Sequence, residues 1–124
     1  MATVRDVMNT DLVTVSPDIT VAEAATIMGQ RRVGSCLVLQ EDRLAGIFTE
    51  RDIVRVLGEH FDASGHKVGE WMTPQPMTVD PATSVKEALQ VMVAGGFRHL
   101  PVLEGGRVVG MVSMRDLSGW LSST

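Results

Sequence analysis

The sequence predicts an α/β (α+β) fold built of two βαββα repeats, related by a pseudo-twofold axis and packed as one module. Three observations predict it. The chain repeats itself: residues 4–57, slid by 64 positions, lie without a gap on residues 68–121, and sixteen of the 54 aligned pairs are identical. Several other pairs are like for like, as Ile27 with Val91, Ile47 with Met111 and Thr49 with Ser113. Within each copy, apolar residues recur at helical spacing in one stretch and run continuously in two others, which separates a helix from a pair of strands. Such a tandem leaves two related clefts where the halves meet, and clefts between repeated units are common places for small ligands.

Taken in order, each copy opens on a short helical segment, Val4 to Met8 and Val68 to Met72. A turn and a short strand follow, Val13 to Val15 and Met77 to Val79, ended by Pro17 and Pro81. Thr20-Val21-Ala22-Glu23 and Ser84-Val85-Lys86-Glu87 read as capping boxes, in which hydroxyl and carboxylate reciprocally satisfy free backbone N–H groups. Helices therefore run over Val21 to Arg31 and Val85 to Ala94, with Val21, Ala24, Ala25, Met28 and Val85, Ala88, Leu89, Met92 forming one buried stripe each. The apolar runs Cys36 to Leu39 and Leu100 to Leu103 pass through Glu41-Asp42-Arg43 and Gly105-Gly106-Arg107 into Leu44 to Phe48 and Val108 to Val112, each a strand, turn and strand. A last helix covers Glu50 to Leu57 and Met114 to Leu121. Between the copies, residues 58–67 read as a surface connector, with His60 and His66 as solvated loop residues in preference to metal ligands alongside Glu59 and Asp62.

Composition narrows the function. A half of roughly 60 residues is marginal alone, so the halves are expected to share one core. Hydrophobic content of 44% with 21% charged residues is globular. No apolar run approaches a membrane span, and Met1 to Asp6 lacks the apolar stretch of a signal peptide, so the expectation is a cytoplasmic protein off the membrane. Cys36 is the only cysteine, which excludes an internal disulfide, and its neighbours Leu37-Val38-Leu39 place it in a buried strand. A net charge of -4 argues against nucleic-acid binding, which needs a basic face, and the scarcity of aromatic residues argues against a base-stacking platform. The eight methionines read as adaptable core fillers, with Met111 and Met114 also placed to line a cleft.

The most specific local pattern is Gly46-Ile47-Phe48-Thr49-Glu50-Arg51-Asp52, repeated as Gly110-Met111-Val112-Ser113-Met114-Arg115-Asp116. A strand ends, a hydroxyl begins a helix, and a carboxylate follows three residues later. A capping box accounts for this without any ligand and contributes about 1 kcal/mol. It does not by itself require Arg beside Asp in both copies. A carboxylate can accept two hydrogen bonds from a ribose diol, and a helix start with a hydroxyl and an arginine suits phosphate oxygens, which together describe a nucleotide's sugar and phosphates. No nucleophile–base pair, Gly-rich phosphate loop or metal-ligand cluster is present in the sequence, so an enzyme is not expected.

The paired βαββα units, the Val-x-x-Val/Trp-Met openings, the Thr-Val-x-Pro strands and both Gly-h-x-Thr/Ser-x-Arg-Asp segments resemble a tandem of cystathionine β-synthase (CBS) domains, a Bateman module. The resemblance covers residues 4–121: repeat 1 over 4–57, a connector over 58–67 and repeat 2 over 68–121. It implies a stand-alone, non-catalytic regulatory module that binds an adenosyl ligand, with AMP, ADP or ATP ahead of S-adenosylmethionine and NAD, and signals to a partner protein. It implies no prosthetic group and no metal. Carried over residue by residue, it puts Asp52 and Asp116 on ribose hydroxyls and Thr49 and Ser113 near phosphate. In one composite cleft Thr49, Arg51 and Asp52 would face Thr73, Pro74, Gln75, Phe97, Leu100 and Pro101. In the other, Met111, Ser113, Arg115 and Asp116 would face Asn9, Thr10, Asp11, Val33, Cys36 and Leu37. Arg98 and His99 fall where the family often places phosphate-contacting basic residues, but the matching first-copy pair is Gly34-Ser35, so the clefts are not equivalent. Arg31 and Arg32 complement the dipole of the helix they end.

The family also implies a homodimer, a flat disc of four repeats joined through the helices that follow Thr49 and Ser113. Ile53, Val56, Leu57, Leu117, Trp120 and Leu121 are the apolar residues expected to be left uncovered there. The competing expectation is a ligand-independent interaction module, in which the hydroxyl–acid segments are caps and the exposed helices dock a partner.

Overall fold

The computed structural model describes residues 2–122. The elements are α1 (Val4–Val7), β1 (Thr14–Val15), α2 (Val21–Arg31), β2 (Ser35–Gln40), β3 (Arg43–Thr49), α3 (Glu50–His60), α4 (Val68–Trp71), β4 (Thr73–Pro74), α5 (Val85–Gly95), β5 (His99–Glu104), β6 (Arg107–Ser113) and α6 (Met114–Ser122), with a 3-10 turn at Ala63–Gly65. They divide into two compact units. The first is Val13–Pro76; the second joins Met1–Leu12 to Met77–Thr124. Each unit therefore takes its opening helix from the other repeat: α4 belongs to the first unit and α1 to the second.

In the first unit the sheet order is β1-β2-β3-β4, with β1 parallel to β2 and the other neighbours antiparallel. α2 starts where Thr20 Oγ1 accepts from Glu23 N–H at 3.0 Å while Glu23 accepts from Thr20 N–H at 3.2 Å, the expected reciprocal box. It ends at Arg32, in a left-handed conformation with φ 55°. Val21, Ala24 and Met28 on its inner face pack with Cys36, Val38, Phe48 and Val56. α4 is pinned at the head of α2 by backbone bonds, Val21 N–H to His66 O at 2.8 Å and Val68 N–H to Ile19 O at 2.9 Å, and Val68 enters the same core.

The second unit repeats this plan. Val85, Ala88 and Met92 of α5 pack with Leu100, Val102, Val112 and Leu117, and Val4 of α1 is fully buried among them. Backbone bonds Val4 N–H to Thr83 O at 2.8 Å and Val85 N–H to Ala2 O at 3.1 Å tie α1 to α5. A buried aliphatic or Phe side chain contributes about 1.5–3 kcal/mol. Each unit thus has its own core, which corrects the expectation of one shared core: the borrowed opening helix supplies the valine that closes each.

The sheet of the second unit departs from its twin at both edges: it has two strands, β5 and β6, and the counterparts of β1 and β4 are single bridges, Val79 to Val102 and Asn9 to Met111. Met77–Val79 was expected to form a strand, but only Val79 makes a bridge, to Val102, and Met77 is exposed. The cause is Pro101. Its counterpart Leu37 donates its N–H to Val13 O at 2.9 Å, and proline has no N–H to give. The next two bonds along the ladder survive, Val79 N–H to Pro101 O and Leu103 N–H to Val79 O. The second capping box also closes on one side only: Ser84 Oγ accepts from Glu87 N–H at 3.0 Å, while the exposed Glu87 carboxylate makes no described return bond to Ser84.

Two helix expectations are corrected. α3 continues past Leu57 to His60 and stops at Phe61, whose φ of 57° breaks the helix while its N–H still bonds Leu57 O. His60 is accordingly a helical residue, and it stacks on His66 with ring centroids 4.3 Å apart, both edge-on to Trp71. These histidines form an aromatic cluster where free loop residues were expected. Val56 and Leu117 are fully buried in the cores of their own units, and Ile53 and Trp120 pack against those cores. Leu57 and Leu121 are exposed as expected, by 42% and 39%, and on α3 and its cap Leu57 is joined by Val54 and Phe61, exposed by 68% and 89%.

Candidate functional site

Both strand–helix junctions form, and each carboxylate caps its own helix. In the first unit, Thr49 N–H and the Thr49 hydroxyl both donate to Asp52 Oδ2, at 2.9 and 3.2 Å. In the second, Ser113 N–H donates to Asp116 Oδ2 at 3.2 Å, and Asp116 N–H donates to Ser113 Oγ at 3.0 Å. β3 pairs antiparallel with β4, which follows α4, and β6 is bridged antiparallel by Asn9, which follows α1, so a second set of residues lies beside each junction. Ile47 pairs with Thr73, and Gln75 N–H bonds Ala45 O at 3.2 Å. Met111 pairs with Asn9 through two backbone bonds of 2.8 and 3.0 Å. Thr49, Asp52, Thr73, Pro74 and Gln75 thus share one unit; Ser113, Asp116, Asn9, Thr10 and Asp11 share the other.

The remaining expected residues fall in the opposite unit from the junction they were expected to face, Phe97, Leu100 and Pro101 in the second and Val33, Cys36 and Leu37 in the first, and they distribute by burial. Cys36, Leu37 and Leu100 are fully buried, Pro101 is buried, and Val33 and Phe97 pack half-buried on the core of their own unit. Arg51, Arg98 and Arg115 are exposed, His99 is half-buried at the start of β5, and the Arg98 carbonyl accepts the Met114 N–H at 2.8 Å. Asn9 is turned on its own loop, its Oδ1 accepting from Asp11 N–H at 2.9 Å.

The two carboxylates differ in surroundings. Asp52 is only 6% exposed and Asp116 is exposed. Arg55, three residues along α3, places Nη1 3.1 Å from Asp52 Oδ1 and its Cζ 5.3 Å from the Trp71 ring centroid. Sequence reasoning passed over Arg55 and Trp71; the signal was an Arg one helical turn after Asp52 with Gly119 at the matching place. Burial, reinforced by the Asp52 charge, pushes the Cys36 thiol up to about 12. A thiol so disposed is protonated at neutral pH and serves as packing, not as a nucleophile. Among the described residues no group of three or more His, Cys, Asp or Glu is placed to hold a metal ion, and no helix is long and apolar enough to cross a membrane.

Two copies of one βαββα plan, each closed by the other's opening helix and each turning into its last helix on a hydroxyl–carboxylate pair, define a tandem-repeat α/β module. The CBS-domain family model matches residues 4–59 and again residues 68–123, and the chain belongs to that family. CBS domain-containing protein YhcV of Bacillus subtilis is 35% identical over 119 residues, covering 95% of this chain and 84% of the relative. The CBS-domain containing protein ATU1752 from Agrobacterium tumefaciens superposes with a TM-score of 0.90 at 30% identity, covering 97% and 99% of the two chains. The CBS domain pair of protein MJ0100, solved in complex with 5′-methylthioadenosine and S-adenosyl-L-methionine, superposes with a TM-score of 0.90 at 25% identity, covering 99% and 98%.

Proposed function

We propose that this chain is a non-catalytic regulatory module that binds an adenosyl ligand, AMP, ADP or ATP foremost, between its two CBS repeats and signals its occupancy to a partner protein. Asp52 and Asp116 receive the ribose hydroxyls. Thr49 and Ser113, with Arg51, Arg98, His99 and Arg115, take the phosphates, and Thr73 to Gln75 with Phe97, or Asn9 to Asp11 with Val33, hold the base, backed by the buried Leu100 and Pro101 or Cys36 and Leu37. The observation that carries this reading is the hydroxyl–carboxylate junction, present in both units with the segment that follows an opening helix, Thr73 in one and Asn9 in the other, paired beside it. The likeness to a CBS pair solved with two adenosyl compounds supports the ligand class. The protein works in the cytoplasm as a homodimer of such pairs.

A second reading has its own support: both carboxylates already serve as caps, and Val54, Leu57 and Phe61 present an apolar strip. It makes the chain a ligand-independent interaction module. A thermal-shift panel of AMP, ADP, ATP, S-adenosylmethionine and NAD separates the two. Ligand at about 100 times its dissociation constant stabilises the native state by roughly 2.7 kcal/mol. Loss of a charged hydrogen-bond partner costs about 1.5 to 3 kcal/mol, so Asp52→Ala and Asp116→Ala should each weaken a different site roughly 10- to 150-fold. Absence of binding to the wild-type protein below millimolar concentration gives the case to the interaction module.

A further inference from the structure

One difference between the two junctions bears on how the ligand sites are used. In the first unit the Asp52 carboxylate is engaged on both oxygens: Oδ2 by the cap of α3, Oδ1 by Arg55. The guanidinium is held from a second side by Trp71, whose ring in turn meets the edges of His60 and His66. In the second unit the places of Arg55 and Trp71 are taken by Gly119 and Val7. Among the described residues no basic side chain pairs with Asp116, whose Oδ2 alone serves the cap. A ribose diol arrives with two O–H donors and needs free lone pairs on the carboxylate it meets.

We propose that Arg55 is an intramolecular competitor for the ribose position at Asp52, making it a positioning residue that sets the two sites to unequal strength so that Asp116 fills first. The inference rests on the reading that Asp52 and Asp116 take the ribose. An adenosyl ligand at Asp116 meets an exposed carboxylate with an open oxygen. At Asp52 it must draw the guanidinium away from Oδ1, out of a seat that the Trp71 face also favours. The penalty is modest because the arginine is half-exposed.

Calorimetric titration of the full chain with 5′-methylthioadenosine tests this, since that probe carries a ribose diol and no phosphate for an arginine to attract. In an Asp116→Ala background, Arg55→Met should tighten the remaining site about 2- to 5-fold, and Arg55→Lys, which keeps the charge, should return it toward the starting value. In an Asp52→Ala background Arg55→Met should change nothing. An unchanged or weaker Asp52 site in Arg55→Met overturns the proposal, as does weaker binding of AMP with 5′-methylthioadenosine unaffected, which would make Arg55 a phosphate ligand. Failure of both probes to bind the wild-type chain is a different pattern: it removes the ribose reading itself and the competition with it.

Discussion

Gly46 lies so close under Met72 that a Cβ added to it would sit 2.6 Å from the methionine sulfur and 2.7 Å from the Thr73 carbonyl oxygen. The twin relationship holds Gly110 under Met8, where the three atoms nearest an added Cβ all belong to that side chain, sulfur at 2.5 Å and Cγ at 2.9 Å first. The glycine that heads each strand–helix segment is therefore explained by the docking of the opening helix. Thr73 is backbone fixed in the sheet by its pairing with Ile47, whereas a methionine side chain can turn aside. Gly46→Ala should destabilise by about 1–3 kcal/mol and Gly110→Ala by less, as read from the two denaturation midpoints.

The hairpin turns give a second contrast. Glu41 and Asp42 adopt φ of 52° and 64°, and their counterparts Gly105 and Gly106 adopt 61° and 81°. A two-residue turn with positive φ at both positions suits glycine and strains a side chain. Asp42→Gly should raise stability by about 0.5–1 kcal/mol, seen as a later urea midpoint with an unchanged slope.

Alkaline pH should expose the buried thiol. Cys36 is raised from 9.0 to about 12 by burial and by Asp52. Below pH 9 the thiol is protonated in both folded and unfolded chains and has no pH-dependent effect. Between 9 and 12 only the unfolded chain releases the proton, so stability falls as pH rises, with a slope approaching about 1.4 kcal/mol per pH unit. Cys36→Val should lose this component of the alkaline slope. Equal slopes in wild type and variant would refute the assignment.

Self-association is expected through the outer face of α3. Val54, Leu57 and Phe61 stand three and four residues apart and project from one side of the helix. Sedimentation should show a dimer at concentrations on the order of tens of micromolar, and Leu57→Glu should shift it to monomer, since burying an unpaired carboxylate is costly. A wild-type chain that stays monomeric there would sink the idea.

The sequence was most legible where a single local pattern decides the outcome. α2 spans the predicted Val21–Arg31 because a capping hydroxyl, a stripe at helical spacing and a left-handed stop all agree. The hairpins were read from apolar runs around short turns, and each grew by a residue at either end. What escaped was partnership. The buried face of Val4 is visible in its apolar neighbours, but nothing local says that it closes the core containing Leu117. On α3, Asp52 and Val56 lie four apart on the buried side while Val54 and Leu57 point outward, and composition alone could not rotate the helix correctly. At the junctions the hydroxyls and acids were readable as a pair, whereas Arg55 needed the coordinates of Asp52 and Trp71 together.

The exchange of opening helices sets an order on biosynthesis. The unit Val13–Pro76 is continuous and can close as soon as it has left the ribosome. Val4 has no such seat: it must wait for Leu100, Val112 and Leu117, a delay on the order of ten seconds at ordinary translation rates. During that interval α1 stays undocked from its own unit, and on a crowded polysome another acceptor is the newly completed second unit of a neighbouring chain. Fidelity of assembly thus depends on the short tether between Val4 and Val13, which keeps α1 at high local concentration for its own chain and makes lengthening that tether a route to intertwined copies.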